Sequence, residues 1–188
     1  MNQSQPLDPL IRRFQESLKH LRWVSVLLFL ITVGCTKAPS DRDISIHLTL
    51  GNPSKATTNP VDSNNYLMRK PEYALSYNKD QRIPNWVSWQ LNGTWLGTTD
   101  RQEAWSPDPD LPADWDPVTP TDYRGSRYDR GHMTPSADRT KDATTNAATF
   151  VMTNIVPQTA DNNRGPWREL EEYCRDLVRE GKELYIVA

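Results

Sequence analysis

The chain has 188 residues, enough for one domain and little more once any targeting segment is subtracted. Hydrophobic content is only 36%, yet seven Trp and seven Tyr each bring a large area for burial, and fifteen Pro against eight Gly favour short stiff connections over a helical bundle. A formal charge of -2 argues against a chain that coats nucleic acid through bulk electrostatics, and two cysteines, Cys35 and Cys174, exclude a disulfide framework or a Cys-rich zinc site.

Trp23 to Gly34 is a short apolar run preceded by Arg12, Arg13, Lys19 and Arg22. It falls short of the roughly 18–20 residues that a bilayer-spanning helix needs, and a basic segment ahead of a short apolar one is the pattern of an export signal. Thr32, Val33 and Gly34 form a small-residue approach to Cys35 that is similar to a bacterial lipoprotein processing site. Ordinary secretion and a lipid anchor on Cys35 both fit. A buried helix of the fold is the competing reading, and the lack of an amphipathic period counts against it. Residues 1–35 therefore read as an export signal, which makes the protein periplasmic, extracellular or membrane-anchored. Residues 36–43 read as a tether, and 44–188 as the folded domain.

Thr36 to about Asn65 is polar, with one alternating segment, Ile44 to Leu50, that predicts a strand. Tyr66 to Lys79 carries turn signals at Pro71 and Asn78 around a strand-like centre, Tyr73 to Tyr77. Asn85 to Leu91 alternates large apolar with smaller residues and ends in Asn92-Gly93, which predicts a hairpin and a second strand at Thr94 to Gly97. Ala104 to Tyr123 is too rich in Pro and Asp for regular structure. An extended segment follows at Arg127 to Met133, and the β-branched run Thr149 to Val156 predicts a buried strand.

Pro166 then opens the strongest helix, running to about Gly181, with Pro at its first position and Gly just past its end. Trp167, Leu170, Cys174, Leu177 and Val178 fall at helical spacing and predict the face that packs on the sheet. Glu183 to Ala188 begins another apolar strand. Burying it calls for partners that the chain does not supply, so the domain reads as incomplete at its C-terminus. The fold class is α+β, a mixed or antiparallel sheet with a helix packed on it.

Three histidines are present, His20, His47 and His132, with no His-x-His, His-Glu-x-x-His or paired-Cys spacing for zinc. There is no Gly-x-Ser-x-Gly elbow and no Walker loop. His132 lies in Asp129-Arg130-Gly131-His132, and a lone His is more often a surface or satisfied-core residue than a catalyst. Its company alters that balance. Thirty-one residues on, Asn163 precedes the predicted helix. There it reads either as an N-cap or as a hard neutral oxygen suited to Mg²⁺. Glu171 lies about two turns further along, and Arg175 is placed for an i,i+4 ion pair with it. A solvated helix face explains both equally well.

Taken together, three segments resemble the DNA/RNA non-specific endonuclease family, which includes endonuclease G and shares a ββα-metal finger. They are Tyr128-Asp129-Arg130-Gly131-His132-Met133-Thr134-Pro135, Thr153-Asn154-Ile155-Val156-Pro157-Gln158, and Asn163-Arg164-Gly165-Pro166-Trp167 with Leu170-Glu171. Asn85-Trp86-Val87 and Asp122-Tyr123-Arg124-Gly125-Ser126 look like family segments as well. The resemblance covers roughly residues 44 to 188 and lacks the strands and helices that usually follow.

The resemblance implies metal-dependent hydrolysis of phosphodiesters in DNA and RNA without sequence preference. His132 would be the general base, a role that an imidazole pKa of about 6.5 suits, with its other ring nitrogen held by a backbone carbonyl. Asn163 would bind a water-rich Mg²⁺, for which Mn²⁺ substitutes, and Glu171 would orient the waters of the ion. Arg130 would grip phosphate through its planar fork, with Arg101 and Arg175 as further substrate contacts. Asn154 would tie the strand to the finger, with Asp129 in support. A nuclease must be exported or restrained, and an inhibitor protein, if one accompanies it, is not legible here. The competing readings are a narrower nuclease of the same class, a non-catalytic envelope module that binds nucleic acid or a protein, and a truncated remnant that does not fold.

Overall fold

In the computed structural model the described residues are 45–188, and the readings of export signal, Cys35 anchor and tether fall outside them. Strands β1 (Tyr66–Arg69), β2 (Ala74–Asn78), β3 (Ile83–Leu91) and β6 (Leu184–Val187) form an antiparallel sheet in the order β1-β2-β3-β6. A separate antiparallel pair joins β4 (Asp129–His132) to β5 (Ile155–Gln158). Helices α1 (Ala143–Ala147), α2 (Ala160–Arg164) and α3 (Pro166–Arg179) complete the α+β architecture. Among the described residues no helix is long and apolar enough to cross a membrane.

Alternation along the strands divides the sheet into two faces. Leu75, Tyr77, Val87, Trp89 and Leu91 point to the main core, which Met68, Tyr73, Trp115 and Val178 complete. The opposite face carries Leu67 and Trp86 with Ala56 against them. The inward side of α3 is Glu171, Cys174, Arg175 and Val178 at i, i+3, i+4, i+7, so two charged side chains sit on the face that the sequence assigns to apolar packing. Leu170, expected on that face, is 51% exposed.

Three predicted strands differ from the structure, and a fourth, Glu183 to Ala188, forms as predicted but finds a partner that the sequence did not reveal. Ile46–Leu48 is a single 3-10 turn, because His47 turns inward as a polar plug. Its Nδ1 accepts from the Gln90 backbone N–H at 3.1 Å, so Nε2 is the donor to the Pro71 carbonyl at 2.8 Å. Burial holds this ring neutral, pushing its pKa down to about 4. Asn92-Gly93 does not close a hairpin. The Asn92 Oδ1 accepts from Thr94 N–H at 3.0 Å and starts a 3-10 turn at Gly93–Trp95, and the free edge of β3 pairs with β6 instead. That pairing also corrects the expectation that Glu183 to Ala188 lacks a partner, since Leu91↔Leu184 through Ser88↔Val187 lie in register. Thr149 to Val156 is buried as predicted, but only its last two residues are strand. Two 3-10 turns, Ala148–Phe150 and Met152–Asn154, precede β5.

The Pro- and Asp-rich loop is fastened rather than loose. Lys70 bridges Asp108 at 2.7 Å and Asp110 at 2.6 Å, while Thr153 donates to the second Asp108 oxygen. Asn154 is fully buried and holds the start of β5 to the end of β4. Its Oδ1 accepts from Thr134 N–H, and its Nδ2 donates to the carbonyls of Thr134 and Thr149, each at 2.9 Å. Replacement by Leu orphans an N–H and two carbonyls in the interior. Asn154→Leu is therefore expected to cost at least about 1–3 kcal/mol, read as a lower urea midpoint at unchanged slope. A midpoint equal to wild type would refute the clamp.

Candidate active site

Strand β4 runs antiparallel to β5, with Asp129 opposite Gln158 and His132 opposite Ile155. Gly131 leaves room for the Gln158 side chain lying across the strand, which would have to swing aside for any Cβ at that position. His132 ends the strand and is only 7% exposed. Phe150 meets the ring edge-on with centroids 4.8 Å apart, and Trp105 lies tilted at 5.2 Å. Nε2 is buried without a hydrogen-bond partner. Burial first, then the positive charges of Arg101 and Arg130, push the imidazole pKa down to about 3, so the ring is a neutral base at ordinary pH. Among the described residues no backbone carbonyl holds the other ring nitrogen, contrary to expectation. Aromatic packing orients the imidazole, and the Trp167 indole instead donates to the His132 backbone carbonyl at 3.1 Å.

Asn163 is not the N-cap of the long helix. It lies inside α2, which Thr159 caps, and Gly165 occupies the cap position of α3. A Cβ at Gly165 would fall 2.6 Å from the Asp161 carbonyl oxygen, so the sharp α2–α3 corner requires glycine. The Asn163 Nδ2 donates to Asp129 Oδ2 at 3.0 Å, which turns its oxygen away from that carboxylate. Arg164 grips the same carboxylate through two bonds of 2.8 Å. Arg164, then Asn163, hold the Asp129 carboxyl below the usual range.

Glu171 and Arg175 do not pair with each other as predicted. Arg175 donates to Asp138 at 2.9 Å, and Asp138 also accepts from the Trp89 indole at 3.0 Å. Glu171 is left half-buried beside a carboxylate. Burial, then the Asp138 charge, raise its pKa to about 7 against the opposing pull of Arg175. Arg101 spans Ser136 Oγ at 2.7 Å and the face of Phe150 at 4.8 Å, and Arg130 stacks over Trp105 at 4.1 Å.

His132, Arg130, Arg101, Asn163, Glu171 and Arg175 all line one cleft of about 510 Å³, joined by Arg164, Arg168 and Glu172. Asp129 lines the neighbouring cavity, and Asn154 lies behind the site rather than in it. Sequence reasoning missed Trp105 and Phe150, which carry no local mark of their role. It also passed over Arg164, although that residue adjoins Asn163 in a quoted motif.

A model of the DNA/RNA non-specific endonuclease family matches residues 50–188. The chain belongs to this family. Among its relatives, a nuclease of Nostoc sp. is 56% identical over 173 residues, covering 88% of this chain and 63% of that protein. The human mitochondrial nuclease EXOG is 36% identical over 118 residues, 62% of this chain and 32% of its own length. A crystal structure of endonuclease G with its inhibitor EndoGI superimposes with a TM-score of 0.57 at 28% identity, covering 64% of this chain and 51% of that one. The chain thus spans between about a third and two thirds of the length of these relatives. The β4–β5 pair followed by α3 is the ββα arrangement of this endonuclease family.

The raised carboxyl in this nuclease-family cleft has a thermodynamic signature. Between about pH 4.5 and 7 the folded protein keeps a proton on Glu171 that the unfolded chain has released, so stability falls as pH rises through that window. Glu171→Gln removes the effect. In EDTA, urea unfolding should show the variant gaining on wild type by about 1–3 kcal/mol between about pH 5 and about pH 8. A difference constant with pH would exclude a carboxyl titrating there.

Proposed function

We propose that this protein hydrolyses phosphodiester bonds of DNA and RNA without sequence preference, with His132 as general base. The observation that carries the reading is the cleft, where an unpartnered neutral imidazole nitrogen shares one cavity with an amide, a carboxylate and several arginines. Family membership supports the reading independently.

The residues fit a divalent cation. Hard oxygen donors, the Asn163 amide and the Glu171 carboxylate, line the same cleft as the base. No group of three or more His, Cys, Asp or Glu that could hold a metal occurs among the described residues, so water would fill most of the shell. Asn163 would hold the ion, Mg²⁺ with Mn²⁺ as substitute, and Glu171 would orient its waters. When bound, such an ion supplies positive charge that stabilises the pentacovalent transition state and assists the departing oxygen.

The chain's own groups do the rest. His132 accepts the proton of the attacking water, and its dry, aromatic-walled position keeps it free to do so. Asp129 holds the Asn163 amide by one bond and takes the charge of Arg164 by two others. Arg130, stiffened over Trp105, offers its guanidinium edge to the phosphate, and Arg101, over Phe150, adds charge to the same cleft. These groups address phosphate, which positions a strand without reading bases. Export through residues 1–35, with or without an anchor on Cys35, remains part of the proposal and rests on the basic-then-apolar pattern. A protein inhibitor is a further part, supported by the endonuclease G structural neighbour, which is in complex with EndoGI.

Purified protein is expected to nick plasmid DNA with Mg²⁺ and to lose that activity in EDTA. His132→Ala should lower the rate by about 10²–10⁴, and Asn163→Ala should recover in part at higher metal concentration. Undiminished nicking by the His132 variant, or nicking that EDTA does not touch, would remove this mechanism.

A further inference from the structure

Beside the catalytic cleft lies a second cavity of about 460 Å³, continuous with it through Arg130 and Asn163, which line both. The rest of its wall is aromatic and basic, with Trp105, Tyr123, Tyr128 and Arg124. Building on the hydrolase reading above, we propose that this cavity is a subsite for an unpaired nucleotide flanking the scissile phosphate. Its base stacks on Tyr128 and its outer phosphate meets Arg124.

The three aromatic residues differ in what they leave free. Trp105 is spent as the rear wall, covered by Arg130 at 4.1 Å and packed on His132 and Phe150. Tyr123 is half-buried against Val118, Met152 and Ile155. Tyr128 is 51% exposed, with no ring contact among the described residues. A large aromatic ring left open at the mouth of a cavity beside a phosphate-handling cleft matches the stacking platforms that single-strand binders use.

The charge is also suited to a strand. Asp129 is the one acid in the wall, and Arg164 neutralises it from outside through both oxygens, leaving Arg124 and Arg130 to set the sign. The presenting loop is stiff. Ser126 Oγ donates to the Tyr123 carbonyl at 2.8 Å and accepts from Tyr128 N–H at 3.2 Å. Gly125 and Arg127 flank it at positive φ, 77° and 68°, which aims Tyr128 into the open. Asp122 accepts from Thr119 N–H at 2.8 Å and pairs with Arg82 at 3.4 Å, anchoring the opposite wall. The volume lies in the roughly 300–1,000 Å³ range of small-ligand sites.

The test is fluorescence anisotropy in EDTA, with a labelled eight-nucleotide single strand and the matching duplex. It compares wild type, Tyr128→Ala, Tyr128→Phe and Arg124→Ala, alongside hydrolysis of bis(4-nitrophenyl) phosphate in Mg²⁺. Wild type should prefer the single strand. Tyr128→Ala should lose roughly tenfold to hundredfold in single-strand affinity, Tyr128→Phe should keep it, and Arg124→Ala should weaken it with a smaller salt dependence. Duplex affinity should barely change. Hydrolysis of the small phosphodiester, too short to reach the subsite, should be unaffected in Tyr128→Ala. Single-strand binding by Tyr128→Ala equal to wild type, an equal loss for both substrates, or no strand preference in wild type would each overturn the subsite. Failure of wild type to hydrolyse the small phosphodiester would count against the catalytic reading, and the anisotropy would still decide this one.

Discussion

The site depends on one short strand being clamped at both ends. At its far end, beyond His132, both backbone groups of Thr134 are held by the buried amide of Asn154, which leaves that stretch no freedom to slide against β5. At its near end Asp129 reaches across to α2 and takes bonds from Asn163 and Arg164. A base on the strand and an amide on the helix are thereby set on one cleft without touching each other. Positioning by a second tier of residues is what sites needing tight geometry require.

Burial governs the electrostatics more than pairing does. His132 is driven neutral because its ring is packed between aromatic rings near two guanidinium groups. Glu171 is driven toward its protonated form by burial first and by the nearby Asp138 charge second, and Arg175, which bonds Asp138, only partly opposes them. The two groups are therefore pushed in opposite directions, base downward and acid upward, within one cavity.

Much of the architecture was legible because it is encoded locally. The helix beginning at Pro166, the strands at the centres of 66–79 and 85–91, and the irregular Pro-rich loop follow from spacing, capping and breaker residues alone. Errors came where a side chain reached outside its own segment. His47 converts a predicted strand into a plug by bonding Pro71 and Gln90, residues 24 and 43 positions away. Asn92 caps its own 3-10 turn because β6 arrives from nearly a hundred residues on to take the edge that a hairpin would have used. The inward face of α3 was misassigned because Glu171 and Arg175 are buried on it through Asp138 and the cleft, which helical periodicity does not reveal.

By itself the sequence determined the chemical cast. His132 is the one histidine set in a charged, glycine-hinged segment, and Asn163, Glu171 and Arg130 stand in motifs whose order places them in one family. Tertiary structure decided their states: which nitrogen stays dry, which carboxyl is pushed toward its protonated form, which arginine is committed to an ion pair, and which tyrosine is left open beside the cleft. The reason is physical. Residue type and spacing set what a group is able to do, whereas pKa, exposure and partner choice depend on the local dielectric and on atoms brought near from distant parts of the chain.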